Sequence, residues 1–164
     1  MMLPPPSTVV LGLGNILHSD DGVGPRAVVR LKKHPGVPEG VALIEGGTLG
    51  LELLTYVWDA SYLLVLDAVD VGQPPGTLIR MSGEELHKMP GSGSVHQLGF
   101  ADLMAALRIL AKRPPEVVLL GVQPASTEWG ASLSPAVEAV LGRLVEQAVN
   151  ELLRKSAATL STVA

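Results

Sequence analysis

The chain has 164 residues, of which 47% are hydrophobic and 17% charged, and its formal net charge is −4. This composition predicts a globular protein, because disordered chains lack the apolar surface that offsets chain entropy. The negative charge and the lack of a large basic cluster disfavour nucleic-acid binding. The chain contains no cysteine, which excludes disulfides, thiolate nucleophiles and zinc–thiolate sites. Any metal must therefore be held by imidazole and carboxylate groups.

The start of the chain resembles neither a signal peptide nor a membrane span. It has no positively charged segment, and the first apolar stretch is interrupted by Gly12 and Gly14. We therefore expect a cytoplasmic protein without membrane association, and we take a monomer as the working expectation. We also expect one domain over residues 1–164, with flexible ends at residues 1–7 and 156–164.

Short apolar runs alternate with longer segments of helical periodicity, a pattern typical of a parallel sheet covered by helices. The predicted strands are Thr8–Leu11, Val41–Ile44, Tyr62–Val69, Thr77–Met81 and Glu116–Gly121. Three helices are predicted over Pro25–Lys33, Leu51–Trp58 and Phe100–Ala111. A brief helix is predicted to begin at Ser82, which forms a capping box with Glu85. A long last helix is predicted after Ser134, which caps it, with Pro135 as its first residue. The segment Lys88–Leu98 is predicted to be a Gly/Ser-rich loop.

A glycine-rich loop follows the first strand. It comprises Gly12–Leu17 and then Asp20–Gly24. A dinucleotide fingerprint requires a third glycine where this chain has Leu17, and two adjacent carboxylates would repel a phosphate. A nucleotide site is therefore disfavoured. Asp20 is interpreted as part of a solvated turn that caps the next helix, whereas Asp21 lies just beyond the carboxyl end of a central strand.

Two further residues are candidates for chemistry. Asp67 ends a continuously apolar strand, and a buried carboxylate is costly unless it is paired, bonded to backbone amides or bound to a metal. The residue alone leaves these alternatives open. His96 precedes a predicted helix, where a lone histidine is more often a capping or packing residue than a ligand. His18, His34 and His87 are interpreted as residues of that ordinary kind, although His18 lies in the loop after the first strand.

The expected geometry brings three of these residues together. In open parallel sheets, ligands bind outside the carboxyl ends of the strands. Asp21 follows the first strand, Asp67 closes the third, and His96 lies in a loop that can fold over the same edge. Two carboxylates and one imidazole suit a borderline divalent metal such as nickel or zinc, with coordination positions left open. If a carboxylate acts as a general base, Asp21 and Asp67 are the candidates.

Four stretches occur in order along the chain: Gly12–Leu17 with Asp20–Gly24, Glu45–Gly50, Leu66–Asp70, and Val95–Gly99 with Ala101–Asp102. In these stretches the sequence resembles a known family, the NiFe-hydrogenase maturation proteases, and the resemblance spans nearly the whole chain. It implies an α/β/α sandwich with a twisted, mostly parallel sheet. It also implies that Asp21, Asp67 and His96 occupy the family's metal-binding positions.

The resemblance further implies a substrate. Family members remove the C-terminal extension of a hydrogenase large-subunit precursor that already carries nickel, so the metal is supplied by the partner. Glu45, Gly46, Gly47 and Thr48 correspond to a loop linked to precursor recognition, in which several relatives have Asp at the first position. Two alternatives stay open. The protein could be a nickel-sensing binding module that grips the large subunit without cutting it, or a conventional zinc hydrolase.

Overall fold

Five strands form one central sheet. The computed structural model describes residues 7–88, 95–111 and 113–163, and the side chains of His87, residues 95–99 and Val163 lie outside this description. The strands are β1 (Thr8–Leu13), β2 (Ala42–Gly47), β3 (Tyr62–Ala68), β4 (Leu78–Ser82) and β5 (Glu116–Val122). Their order is β2-β1-β3-β5-β4. Only the pairing of β4 with β5 is antiparallel among these four pairings, which confirms a mostly parallel sheet.

The strand order reverses direction at β1, which pairs with β2 on one side and β3 on the other. Such a switch point opens a crevice outside the carboxyl ends of the two diverging strands. The residues that follow β1 and those that end β3 therefore border the expected ligand site.

Helices cover both faces of the sheet, which confirms the α/β/α architecture. One face packs against α1 and α5, and the other packs against α2 and α4. The side chains of β3 alternate between these two apolar clusters, so this strand is buried on both faces, as its continuously apolar sequence indicates. The helices are α1 (Val23–Leu31), α2 (Leu54–Val57), α3 (Glu84–His87), α4 (Val95–Leu110) and α5 (Pro135–Val163). None of the described helices is long and apolar enough to cross a membrane.

Two predicted boundaries are wrong. The predicted helix over Leu51–Trp58 is a 3-10 turn at Gly50–Leu53 followed by the single turn of α2. The predicted loop over Lys88–Leu98 is helical from Val95 onward. His96 therefore lies in the first turn of α4. A glycine within a helix costs about 1 kcal/mol relative to alanine, yet α4 includes Gly99. Packing of the helix against the sheet, through Leu103 and Leu107, offsets this cost.

The last helix begins as predicted and extends further than predicted. The Ser134 hydroxyl accepts a hydrogen bond from the backbone nitrogen of Val137 at 3.4 Å, and Pro135 is the first helical residue. The helix continues past Ser156 to Val163. The hydroxyl side chains near its end are compatible with a helix because those of Thr159, Ser161 and Thr162 donate hydrogen bonds to backbone carbonyls four residues earlier. Residues 1–6 lie outside the described residues.

Candidate functional site

Glycines let the loop after β1 press directly onto the strand ends. A Cβ atom at Gly24 would lie 2.3 Å from the carbonyl oxygens of both Leu13 and Leu66. Gly14 has a φ of +122°, and a Cβ there would lie 1.8 Å from the carbonyl oxygen of Asp21. These glycines therefore serve close backbone packing, and they seat Asp21 against the end of β1.

Asp21 is a buried carboxylate at this edge of the sheet. It lies in the 3-10 turn Ser19–Gly22 and is 6% exposed. Its Oδ2 accepts a hydrogen bond from the backbone nitrogen of Asn15 at 2.8 Å, and its own backbone nitrogen donates to the carbonyl of His18 at 3.1 Å. These bonds hold the carboxylate in a fixed place within the loop.

Asp67 lies at the end of the neighbouring strand. It is the penultimate residue of β3 and is 3% exposed. Its Oδ1 accepts a hydrogen bond from the backbone nitrogen of Ala68 at 2.8 Å, so a backbone amide is one of its partners. The strand alternation places Asp67 on the same face as Leu63 and Val65, which is the face covered by α4.

His96 lies in the first turn of α4. Leu110, the last residue of α4, shares a cavity with Ser61 and Pro114, which precede β3 and β5. The helix rises about 21 Å from Leu110 back to His96, and β3 spans about 20 Å from Ser61 to Asp67. A helix that runs along β3 from this cavity would therefore bring His96 level with Asp67. The side chain of His96 lies outside the described residues.

The site thus has two buried carboxylates at the ends of adjacent strands. Among the side chains that the structure describes, no group of three or more His, Cys, Asp or Glu residues is arranged to hold a metal ion. The expected third ligand, His96, has a side chain outside the described residues. Two carboxylates and one imidazole form a donor set that suits nickel or zinc, so the residue types present fit a borderline divalent metal.

Asp20 is not the solvated turn residue that we expected. It is 0% exposed, and it fastens the loop between β5 and α5, residues 123–134, which we call the β5–α5 loop. Its Oδ2 accepts from the backbone nitrogens of Ala125 and Ser126 at 2.8 and 3.2 Å. Both carboxylate oxygens also accept from Ser134. Asp20 therefore stabilises the start of α5, and it does not cap α1.

The loop that carries Asp21 is paired along its length with the β5–α5 loop. The backbone nitrogen of Ser19 donates to the carbonyl of Gly130 at 2.8 Å, and the backbone nitrogen of Gly130 donates to the carbonyl of Leu17 at 2.9 Å. The Ser19 hydroxyl donates to the carbonyl of Glu128 at 2.9 Å. The two loops therefore form one hydrogen-bonded unit beside the site.

The other described histidines make packing and hydrogen-bond contacts. The ring of His18 lies 4.2 Å from that of Trp129, measured between centroids, and its Nδ1 is 3.0 Å from the carbonyl of Thr127. Nδ1 of His34 accepts from the backbone nitrogen of Gly36 at 3.0 Å. Both contacts agree with the ordinary roles that we assigned to these residues.

Gln123 is a site-supporting residue that the sequence did not reveal. It is 5% exposed, and its Oε1 accepts from the backbone nitrogens of Val71 and Gln73 at 2.9 and 3.1 Å. Its Nε2 donates to Oδ1 of Asp70 at 2.9 Å. This bond, followed by one from the backbone nitrogen of Gly72, lowers the pKa of the Asp70 carboxyl. Gln123 thereby fixes the loop that follows Asp67.

The segment Glu45–Thr48 lies beside the same edge. The carbonyl of Gly47 accepts from the backbone nitrogen of Gly14 at 2.9 Å, which ties this segment to the glycine-rich loop. The exposed Glu45 pairs with Nζ of Lys32 at 2.6 Å. Glu45 also borders a groove of about 370 Å³ that is lined by residues of α1 and α5.

Comparison with known proteins gives consistent matches. The family model described as hydrogenase maturation protease matches residues 25–151. A hydrogenase expression/formation protein HupD from Rhodobacter capsulatus is 40% identical over 151 residues, which cover 90% of this chain and 72% of the relative. The hydrogenase 2 maturation protease of Escherichia coli is 38% identical over 88% of this chain and 89% of its own length.

A solved structure matches over the same extent. The hydrogenase maturating endopeptidase HybD from E. coli superposes with a TM-score of 0.84 at 36% identity, over 90% of this chain and 93% of that chain. The similarity therefore extends over the sheet and both helical layers, and it is not confined to a single motif.

Proposed function

This chain belongs to the hydrogenase maturation protease family, and we propose that it removes the C-terminal extension of a nickel-loaded NiFe-hydrogenase large-subunit precursor. The observation that carries this proposal is the placement of Asp21 and Asp67. Both are buried carboxylates at the carboxyl ends of adjacent strands, at the switch point where open α/β sheets bind their ligands.

In this proposal the nickel is part of the substrate. Asp21, Asp67 and His96 engage the metal that the precursor carries, because two carboxylates and an imidazole are suitable ligands for it. Docking on a metal in the partner fixes the position of the scissile peptide bond. It also restricts the enzyme to precursors that have already received nickel.

The hydrolysis itself needs a base for the attacking water. The chain has no cysteine, so a cysteine nucleophile is excluded, and we assign the base to Asp21 or Asp67. One carboxylate accepts a proton from water as the water oxygen bonds to the scissile carbonyl carbon. The carbon–nitrogen bond then breaks, and the same proton passes to the leaving amine. The products are a shortened large subunit and a free C-terminal peptide.

Glu45, Gly46, Gly47 and Thr48 are assigned to recognition of the precursor. Glu45 and Thr48 are exposed, and the hydrogen bond between Gly14 and Gly47 keeps the segment next to the loop that carries Asp21. A precursor strand that enters the site would therefore pass this segment. We also propose that the enzyme acts in the cytoplasm as a monomer.

Mass spectrometry of the incubated precursor tests the function. The purified protein should shorten the nickel-loaded precursor and leave the nickel-free precursor at full length. Asp21→Asn and His96→Ala should abolish the shortening. If the wild-type protein binds the loaded precursor and the extension stays intact, the protein is a binding module and the proposed activity is wrong. Stoichiometric zinc in protein purified without added metal would instead indicate a conventional zinc hydrolase.

A further inference from the structure

Large apolar side chains are exposed next to Asp21. Ile16 is 51%, Leu17 53% and Trp129 75% exposed. With His18, whose ring contacts that of Trp129, they form what we call the Trp129 patch. Single exposed apolar residues are ordinary on protein surfaces, whereas a cluster of them indicates an interaction site. None of the four side chains carries a permanent charge.

The backbone under the Trp129 patch is held by many hydrogen bonds. Ser19 and Leu17 pair with Gly130, and Asp20 fixes the two ends of the β5–α5 loop through Ala125 and Ser134. Binding of a partner there requires little further ordering of the backbone. Tryptophan in this setting is the residue type most enriched among the side chains that dominate binding energy.

The Trp129 patch is continuous with the candidate site. The backbone nitrogen of Asp21 donates to the carbonyl of His18, and Asn15 donates to the Asp21 carboxylate. Ile16 also lines the groove that Glu45 borders. A polypeptide bound along this loop would therefore contact the exposed side chains and reach the turn that carries Asp21.

We propose that the Trp129 patch is the docking surface for an uncharged, apolar segment of the large-subunit precursor near the scissile bond. This inference rests on the proposed function and adds the surface that binds the substrate. The patch consists of four side chains, whereas a stable dimer interface takes about 20–30 residues and about 800 Å² from each partner. It is therefore too small to hold a second copy of this chain. It suffices for a substrate that is also bound through the carboxylates and the Glu45–Thr48 segment.

Steady-state processing of the nickel-loaded precursor tests the proposal. Trp129→Ala should raise KM about tenfold or more and change kcat less than about threefold. The matched control is Trp58→Ala. Trp58 is 44% exposed and lies at the opposite edge of the sheet, in the cavity with Ser61 and Pro114. This control should leave KM within about twofold of the wild-type value.

A second pair of variants separates docking from folding. Leu17→Asp places a charge in the patch without removing a core contact, and it should raise KM like Trp129→Ala. Ile109→Asp is its control, because Ile109 is 80% exposed near the far end of α4. All four variants should unfold at the wild-type temperature within a few degrees.

Three outcomes are decisive. If the wild type processes the precursor and Trp129→Ala has the KM of Trp58→Ala, the docking surface is wrong and the proposed function stands. If the wild type does not process it, the proposed function fails and this inference fails with it. If sedimentation velocity shows a wild-type dimer that Trp129→Ala dissociates, the patch joins two copies of this chain, and substrate docking there is refuted.

Discussion

Asp20 accepts two hydrogen bonds from Ser134, one from the backbone nitrogen at 2.7 Å and one from the hydroxyl at 2.8 Å. These bonds connect the loop after β1 to Ser134, the residue that precedes α5. The adjacent carboxylates Asp20 and Asp21 therefore have separate roles. Asp20 is structural and binds a distant part of the chain, whereas Asp21 lies at the candidate site.

Asp20→Ala should lower the free energy of unfolding by about 3–5 kcal/mol. The substitution removes the carboxylate that accepts hydrogen bonds from the backbone nitrogens of Ala125, Ser126 and Ser134, and each hydrogen bond to a charged group contributes about 1.5–3 kcal/mol. Denaturant unfolding followed by circular dichroism measures the change. Asp59→Ala, which removes an exposed carboxylate, should alter stability by less than about 0.5 kcal/mol. Equal effects of the two substitutions would contradict the role assigned to Asp20.

Gly14→Ala should disable processing, because the new Cβ would lie 1.8 Å from the carbonyl oxygen of Asp21. The turn that carries Asp21 must then shift, and a displacement of about 1 Å at a reacting group can lower the rate about 100-fold. Gly72→Ala is the matched control. It has a φ of +73° with nothing within 4 Å of the added atom. A processing assay at equal folded concentration should show the loss in Gly14→Ala alone.

The acid stability of the protein should depend on Glu151. Its side chain is 8% exposed and pairs with Arg80 at 2.6 Å. Burial by itself would raise the pKa of Glu151, but the hydrogen bond and charge of Arg80, with the charge of Arg154, outweigh burial and lower it. Burial and the neighbouring Glu151 also raise the pKa of the Tyr62 hydroxyl.

The pKa of Glu151 is lower in the folded protein than the value of about 4.3 expected in the unfolded chain. The charge of Glu151 therefore stabilises the fold above that pH. This contribution is lost as the pH falls through the folded-state pKa. Glu151→Gln should be less stable than wild type at pH 7, and the gap should narrow below about pH 4.3. Unfolding curves measured from pH 7 to pH 2.5 check this, and a constant gap would contradict the assignment.

The sequence predicted most of the fold because its signals are local. The continuous apolar run before Asp67 required a strand buried on both faces, and Ser134 with Pro135 marked the start of α5. The start of α4 was missed because Gly99 and the preceding Gly/Ser-rich residues indicate a loop, and only packing reverses that preference.

The candidate site was predictable in part. Asp21 and Asp67 were identified from their positions after two strands, and the structure places both at the carboxyl edge. Asp20 has no distinguishing local signal, because Ser134 lies 114 residues away in the chain. Gln123 was missed for a similar reason, since its partners Val71 and Gln73 are 52 and 50 residues away. The sequence alone does not define such long-range hydrogen bonds.

The central claim is that the carboxylates of Asp21 and Asp67 carry out the processing reaction. The most direct test is the mass of nickel-loaded precursor after timed incubation with Asp67→Asn or Asp21→Asn, which keep side-chain size and remove the charge. Asp59→Asn is the control. We predict initial rates about 100- to 10,000-fold below wild type for both site variants, and a wild-type rate for the control. Wild-type rates for Asp67→Asn and Asp21→Asn, with both proteins folded, would contradict the account.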